Sequence, residues 1–467
     1  MKAIVPVLEE NKKKPYYLQL YNHIKRMILD GDINADEKLP SLRSLAKSTS
    51  LSITTIEQAY NQLLVEGYIY SKANSGYYVN SINAFSNSTV RTDLSISDEK
   101  VSSFEQTVTL ETSKMQYDTD CFDFNKWKKC MNRVINDFSY QLHFEGDPQG
   151  ELSLRNEIAN YLYLSRGVEC SPAQIVIGAG TQQITTQLAV LLRRQGIEHV
   201  ALETPAYQPV KSAFRDRRFA ITEVPSTGKG LTIEKLPANI RTAAYVSPSN
   251  NAFTGAVMPI SRRYELIAWA NNNDSYIIED DYDSELRYFG RPIPSLKSLN
   301  DSERVIYLGS FSSTLFAAVK ISYMVLPLSL SEEFNKIAHE YSQTCSKLEQ
   351  MTLAMFMNTG YYQTHIKKLR KLYSSKLTKI ADELSKQSDG FINVRNTASG
   401  INIIVDVDSN KSTEELKRDA EALGIPAIIN QSAKLDSDTK SIILYYNQIP
   451  LDEISSVAAG LISSWRS

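Results

Sequence analysis

The chain has 467 residues, and 42% of them are hydrophobic, so it is long enough for two or three domains with sizeable cores. Its formal net charge of −2 excludes a global field that would draw the whole protein to nucleic acid or a membrane; such a partner must meet a local surface. The cysteines show no CxxC spacing, and no apolar run approaches about 18 residues or resembles a signal peptide. We therefore expect reduced thiols, no membrane partner and a cytoplasmic protein.

Residues 1–80 show three helical patterns. The first has five apolar residues on one face: Tyr17, Leu20, Ile24, Met27 and Ile28. Pro40 and Ser41, in KLPSLRSLAKS, are typical of a second helix start. A third helix follows in SLSITTIEQAYNQLLVEGYI, and either Ser52 or Thr54 could cap it, the latter in a capping box with Glu57.

Two β-rich runs in YIYSKANSGYYVN flank Asn74-Ser75-Gly76, which predicts the tip of a hairpin. Three helices followed by a β-wing form a winged helix-turn-helix. The alternative is a small helical bundle with no role in DNA binding. The charge is nearly balanced, with 10 Lys and Arg against 8 Asp and Glu over residues 1–80, so a monomer should bind DNA weakly and need a second half-site.

This module resembles the DNA-binding domain of GntR-type bacterial regulators through LPSLRSLA, the Ser/Thr-rich start of helix three, EGYIY and the wing glycine. In that family the start of helix three enters the major groove and the wing reaches the minor groove. The resemblance implies six DNA-contacting residues: Arg43, Ser52, Thr54, Thr55, Ser75 and Gly76. Ile53 stands where relatives often have arginine, and its apolar side chain can touch a thymine methyl but cannot read guanine.

Residues 81–120 are rich in Ser, Thr, Asn and Asp without sustained periodicity, which predicts a linker. From residue 121 to 467, apolar strand-like runs such as QIVIGAG, YIIEDDYD and VIYLGSF alternate with helical patterns. This alternation predicts an α/β domain with a parallel-rich sheet covered by helices on both faces. From INIIVDV onward the pattern repeats in smaller form and predicts a smaller C-terminal α/β subdomain.

Two motifs in this domain suggest a binding site. VIGAGTQQITTQLAVLL places small residues between a strand and a helix, where backbone N–H groups can meet an anion; a plain strand-to-helix turn is the alternative. IIEDDYDSE places carboxylates at the C-terminal end of a strand, where they can face a site; an acidic loop is the alternative. We found no spacing typical of a metal site.

Together with GDPQGELSLRNEIANYL, these motifs resemble the fold-type I, pyridoxal-phosphate (PLP)-dependent aminotransferase fold. Joined to the GntR-type module, the whole chain resembles the MocR/GabR subfamily of transcriptional regulators. The resemblance implies that Asp280 pairs with the pyridinium nitrogen, Tyr282 bonds the phenolic oxygen, and Tyr207 in ETPAYQP covers the ring, unless it is a core tyrosine. It places the phosphate near five residues: Thr181, Gln182, Ser310, Ser312 and Lys320.

The sequence also departs from the family pattern. In GSFSSTLFAAVK, Ser313 stands where the family has its Schiff-base lysine, and a hydroxyl cannot form an imine. Lys320 replaces an arginine and loses the bidentate fork. Phe253 replaces a usual proline, and Gln448 aligns with an arginine that relatives use for a substrate carboxylate.

We therefore expect a DNA-binding transcriptional regulator whose aminotransferase-like domain dimerises and senses a small ligand, rather than an enzyme. Any PLP bound would be non-covalent. The alternative is a PLP-dependent aminotransferase that uses a displaced lysine such as Lys320. The resemblance also implies a homodimer on a double-stranded operator, with DNA-binding modules exchanged head to tail as often occurs in this subfamily.

Overall fold

The computed structural model describes most of the chain, namely residues 15–72, 75–80, 121–289, 293–299, 303–430 and 439–466. The chain divides into two compact units, residues 1–108 and 109–467. This division falls within the predicted linker, 81–120, which lies outside the described residues. The linker and the domain bounds drawn from it therefore remain predictions.

The N-terminal module is a winged helix-turn-helix, as predicted. Its elements are α1 (Tyr16–Leu29), α2 (Leu42–Thr49), α3 (Ile53–Val65), β1 (Ile69–Lys72) and β2 (Gly76–Val79). One hydrophobic core joins all three helices to both strands through residues such as Leu20, Leu45 and Leu63. On α1, Tyr21 is buried and Tyr17 is only half-buried, because the buried stripe lies slightly around the helix from the predicted face.

The second unit begins with a large α/β domain. Its elements are α4 (Phe124–Phe138), α5 (Leu152–Arg166), β3 (Ile175–Gly178), α6 (Thr181–Arg194), β4 (His199–Thr204), α7 (Gln208–Asp216), β5 (Ala220–Thr227), β6 (Gly230–Leu231), β7 (Thr242–Val246), α8 (Ile260–Asn272), β8 (Tyr276–Asp281), β9 (Val305–Ser310), β10 (Ser322–Val325), α9 (Leu328–Ile337) and α10 (Lys347–Asn358). The strands form one sheet in the order β3-β10-β9-β8-β7-β4-β5-β6.

Strands β5, β4, β7, β8 and β9 run parallel, which confirms the parallel-rich sheet. Strand β10 runs antiparallel to both of its neighbours, β3 and β9. Alternate residues of β3 enter different cores: Ile175 and Ile177 pack with α5 and α10, whereas Val176 packs with α6 and α9. Helices therefore cover both faces of the sheet.

The C-terminal part contains α11 (Tyr361–Gln387), β11 (Ile392–Arg395), β12 (Asn402–Asp408), α12 (Thr413–Ala422), β13 (Ala427–Ile429), β14 (Thr439–Tyr445) and α13 (Ile454–Arg466). Its sheet has the order β11-β12-β14-β13, and every neighbouring pair is antiparallel. The sequence indicated a smaller copy of the parallel pattern. The short β13 was not predicted. Because β14 lies between β12 and β13, these two strands are not parallel neighbours, and each pairs antiparallel with β14.

Two further findings concern only the described ranges. No helix there is long and apolar enough to cross a membrane. No group of three or more His, Cys, Asp or Glu side chains is arranged there to hold a metal ion.

Candidate functional site

The turn between β3 and α6 forms a seat suited to an anion. Gly180 precedes the helix with φ +89°, a left-handed conformation that favours glycine, and no side chain caps the helix. The first N–H groups of the 14-residue α6 thus lack a side-chain cap, and the helix dipole favours negative charge there. Thr181 is half-buried at this position, whereas Gln182 is exposed.

Hydroxyl groups from neighbouring strands lie at the same edge of the sheet. Ser322 on β10 is opposite Gly178 on one side and Ser310 on the other, because β10 pairs with both β3 and β9. Ser322 Oγ donates to Ser310 Oγ at 3.0 Å, and the Ser312 N–H donates to the same oxygen at 3.3 Å. This register places Ser310 two strands away from Gly178, with Ser322 between them, and Ser312 bonds to Ser310 through its backbone N–H.

Lys320 precedes β10 and adds a positive charge near this turn. Its backbone lies in the left-handed region, with φ +47°, which is uncommon for a residue with a side chain. Its Cδ atom lies 3.9 Å from the position that a Cβ would occupy on Gly180. The side chain therefore passes the N-terminus of α6, where it could contact an anion.

A carboxylate and two tyrosines form the next part of the edge. Tyr245 on β7 donates its hydroxyl to Asp280 Oδ2 at 2.5 Å. Burial raises the pKa of Asp280 to about 6, although the hydrogen bond from Tyr245 opposes this shift. Burial and the nearby Asp280 charge raise the pKa of Tyr207, a residue that is 48% exposed beyond β4. The sequence did not identify Tyr245 as a site residue, because the run AAYVSP does not indicate that its tyrosine bonds to Asp280.

Ser313 lies directly against the Asp280 strand. Its hydroxyl donates to the backbone carbonyl of Tyr282, which follows β8. The Tyr282 side chain is half-buried, and burial together with the Asp283 charge raises the pKa of its hydroxyl well above the usual value. The carbonyl is thus satisfied by the serine.

A buried ion pair lies behind these groups and was missed in the sequence. Arg166 Nε at the end of α5 lies 2.7 Å from Asp281 Oδ2, and both residues are buried. Arg166 Nη2 donates to Ser249 Oγ at 2.7 Å, while the hydroxyls of Tyr307 and Ser284 donate to Asp281. Asp281 is therefore held by buried partners, whereas Asp280 bonds to Tyr245. No local motif links residues so distant in sequence.

Two further acids, the buried Asp283 and the half-buried Glu285, complete the segment. Asn250 Nδ2 donates to Asp283 Oδ2 at 2.8 Å, and Tyr161 donates to Glu285 Oε1 at 2.8 Å. Burial raises the pKa of Asp283 to about 8 and that of Glu285 to about 7. IIEDDYDSE is therefore a buried, structured segment rather than an acidic loop.

The two remaining departures from the family pattern lie near the C-terminal sheet. Phe253 packs against the cluster of Ile404, Ile443 and Tyr445 on β12 and β14. An aromatic ring there fills an apolar contact that links the loop to the small sheet. Gln448 is half-buried just after β14.

In the DNA-binding module, the residues that open α3 are partly engaged with one another. Ser52 is the N-cap: its Oγ accepts from the Thr55 N–H at 3.1 Å and lies 2.8 Å from Thr55 Oγ1. The alternative capping box from Thr54 to Glu57 is wrong, because Thr54 already lies within the helix. Arg43 and Thr54 are exposed, and Ile53 is 48% exposed beside them.

The wing is a two-stranded antiparallel hairpin in which Lys72 lies opposite Gly76. Ser75 Oγ lies 2.6 Å from the Tyr78 hydroxyl, and Gly76 has φ +112°. Lys72 Nζ lies 4.6 Å from the centre of the Tyr78 ring. At the end of the wing, the Lys72 ammonium therefore lies over the Tyr78 ring. Asn74, predicted at the tip, lies outside the described residues.

Two family models match the chain. Residues 16–79 match bacterial regulatory proteins of the gntR family, and residues 105–431 match aminotransferase class I and II. The chain of a Pyrococcus horikoshii kynurenine aminotransferase crystal structure superposes with a TM-score of 0.64 at 20% identity, covering 75% of this chain and 88% of that one. This likeness confirms the fold-type I architecture.

Relatives match along almost the whole length. The chain is 35% identical over 465 residues to YdeL, an uncharacterized HTH-type transcriptional regulator of Bacillus subtilis (strain 168), with 99% of each chain covered. It is 28% identical over 430 residues to the probable rhizopine catabolism regulatory protein MocR of Rhizobium meliloti, covering 90% of this chain and 87% of that protein. The chain therefore belongs to the MocR-type HTH transcriptional regulators, which join a gntR-family DNA-binding domain to an aminotransferase-like domain.

Proposed function

We propose that this regulator binds a phosphorylated pyridine ligand of the PLP class without a covalent link, and that the ligand acts as an effector rather than a catalytic cofactor. The bond from Ser313 to the Tyr282 carbonyl carries this proposal, because it engages the hydroxyl of the residue that, by the family resemblance, stands in place of the reactive lysine. The chain consequently has no amine at that position to attack an aldehyde.

The residues present fit such a ligand. The uncapped α6, Ser310, Ser312 and Lys320 suit its phosphate, while Asp280 suits its ring nitrogen. Tyr207 suits one ring face through stacking, and Tyr282 suits the phenolic oxygen. When bound, PLP would supply an aldehyde and an electron-accepting ring; this chain would hold and orient the ring.

Mass spectrometry after incubation with PLP and borohydride tests the covalent part. We expect no adduct on the unmodified protein and a reducible adduct on Ser313→Lys, because the rest of the site would already orient the aldehyde. Trapping at Lys320 of the unmodified protein would instead favour the displaced-lysine aminotransferase. If calorimetry detected PLP binding neither by the unmodified protein nor by Ser313→Lys, that result would contradict the effector proposal.

Substitution of Lys320 tests the proposed phosphate site at the β3–α6 turn. Removing one charge-assisted hydrogen bond in Lys320→Ala should weaken PLP binding by about 1.5–3 kcal/mol, or roughly 10- to 150-fold. Lys336→Ala is the matched control, because this exposed lysine is on α9 and pairs with Glu333. Equal losses in both variants would contradict a specific phosphate contact at Lys320.

We further propose that a homodimer binds two operator half-sites, with Arg43 and Thr55 near phosphates and residues 52–54 near base edges. The exposure of Arg43 and Thr54 supports this assignment. The near-balanced charge of the module favours two weak contacts over one strong contact. Light scattering should show a dimer at micromolar concentration, and a stable monomer would contradict the proposal.

A further inference from the structure

The Ser313 hydroxyl has hydrogen-bonding capacity that its contact with Tyr282 does not use. A serine hydroxyl has one proton and two acceptor lone pairs. Its proton is donated to the Tyr282 carbonyl, so toward a ligand the Ser313 oxygen can only accept. An aldehyde oxygen also only accepts, whereas an ammonium group donates three hydrogen bonds.

The acids next to Tyr282, whose carbonyl Ser313 contacts, also favour a cation. Burial raises the pKa of Asp283, and the Asp281, Glu285 and Asp280 charges raise it further. Arg166 makes its ion pair with Asp281. Within the described part of the chain, no lysine or arginine forms a salt bridge with Asp280, Asp283 or Glu285. An added positive charge would therefore lower the pKa of these acids and favour their ionised forms.

Asn250 provides a second acceptor beside the same segment. It is 4% exposed, and its Nδ2 atom donates to Asp283. Among the described residues, its Oδ1 atom has no hydrogen-bond partner. A buried acceptor without a partner is costly, and a donating ligand group would satisfy it.

We infer that this pocket selects the primary-amine form of its ligand, pyridoxamine 5′-phosphate, over the aldehyde, and that Ser313 determines this specificity. The inference rests on the proposed function, because it assumes a phosphorylated pyridine at this site. The serine accepts a hydrogen bond from the ligand ammonium, and the ammonium charge favours ionisation of the neutral acids that follow Asp280. The regulator would then respond to the amine form of the ligand.

Calorimetry on the full-length protein compares pyridoxamine 5′-phosphate, pyridoxine 5′-phosphate and PLP. The buffer must contain no amine, because an amine would convert the aldehyde. We expect the amine to bind roughly 10-fold or more tighter than either other ligand, the effect of one charge-assisted hydrogen bond. Equal or tighter binding of the aldehyde or the alcohol would overturn the inference while leaving the proposed function intact. Failure of all three to bind would overturn both.

Two substitutions of nearly equal volume isolate the hydroxyl. Ser313→Thr keeps the oxygen, and Ser313→Val replaces it with a methyl group that still covers the Tyr282 carbonyl. We expect the threonine variant to retain the amine preference and the valine variant to lose roughly 10-fold of it. Because the readout is a ratio of affinities for two ligands, a general loss of folded protein cancels. The same preference in both variants would overturn the role of Ser313.

Discussion

The DNA-binding module and the aminotransferase-like pocket hold their candidate functional residues in opposite surroundings. In the module, Arg43 and Thr54 are exposed on helices whose core residues lie elsewhere. In the pocket, Asp281 and Asp283 are buried and bonded to side chains from distant parts of the chain. Substitution of an exposed, uncoupled residue of the module such as Arg43 should therefore change binding with little effect on folding, whereas substitutions around the pocket should change both.

The buried ion pair should show the largest effect. Replacing Arg166 with methionine leaves Asp281 charged and buried without its cation, so we expect a loss of about 3–5 kcal/mol in the free energy of unfolding. Denaturant unfolding of both proteins measures this loss. Arg133→Met is the matched control: its partner Asp137 is one helical turn away and both are exposed, so it should cost under about 1 kcal/mol. Similar losses in both variants would remove the contrast between buried and exposed charges.

Asp283 should make the stability of the second unit depend on pH. Its pKa is raised from an ordinary 3.8 to about 8, so between these values the unfolded chain ionises while the folded protein keeps its proton. Folding then takes up a proton, and stability falls as pH rises through this window, by at most about 1.4 kcal/mol per pH unit. Asp283→Asn removes this pH dependence. The stability of the variant relative to the unmodified protein should therefore rise as the pH increases from 5.5 to 8.

The measurement is the difference in unfolding free energy between Asp283→Asn and the unmodified protein at several pH values. Asp389→Asn is the control, because this exposed aspartate pairs with Arg466 at the surface. A difference for Asp283→Asn that stays constant with pH would show that its carboxyl ionises alike in the folded and unfolded chains. It would also weaken the case for an acidic pocket that favours a cation.

The N-cap of α3 should show a smaller effect. Ser52→Ala removes the hydroxyl that accepts from the Thr55 N–H, which should cost about 0.5–2 kcal/mol of stability in the module. Thr54→Ala is the matched control: Thr54 lies one residue inside the helix, and its loss should cost little. Thermal unfolding of both variants tests the assignment. A larger cost for Thr54→Ala would favour the capping box that the sequence also allowed.

The contrast between the two regions also explains what the sequence could predict. The winged helix-turn-helix follows from contiguous patterns, because each helix carries its own apolar stripe, and α2 and α3 also begin with serine N-caps. In the pocket, contiguous motifs pointed to Asp280, but not to Tyr245 or Arg166, whose contacts with the acidic segment span 35 residues or more. Strand direction was also hidden. A short apolar run such as β10 has the same hydrophobic pattern whether the strand runs parallel or antiparallel to its neighbours. The three-residue β13 is too short to show any hydrophobic pattern.

The smallest expected effect on folding is at Arg43, where the effect on DNA should instead be clear. Because Arg43 is exposed and is not part of the module's core, Arg43→Ala should change stability by less than about 0.5 kcal/mol. If its guanidinium neutralises one phosphate in each bound module, the slope of log affinity against log salt concentration should become less steep by roughly 1 per module. Titrations at several salt concentrations measure this slope. Lys47→Ala, on the exposed last turn of the same helix, tests whether any lost cation has the same effect. Equal slope changes would indicate a diffuse attraction, whereas an unchanged slope for Arg43→Ala would place Arg43 away from the DNA.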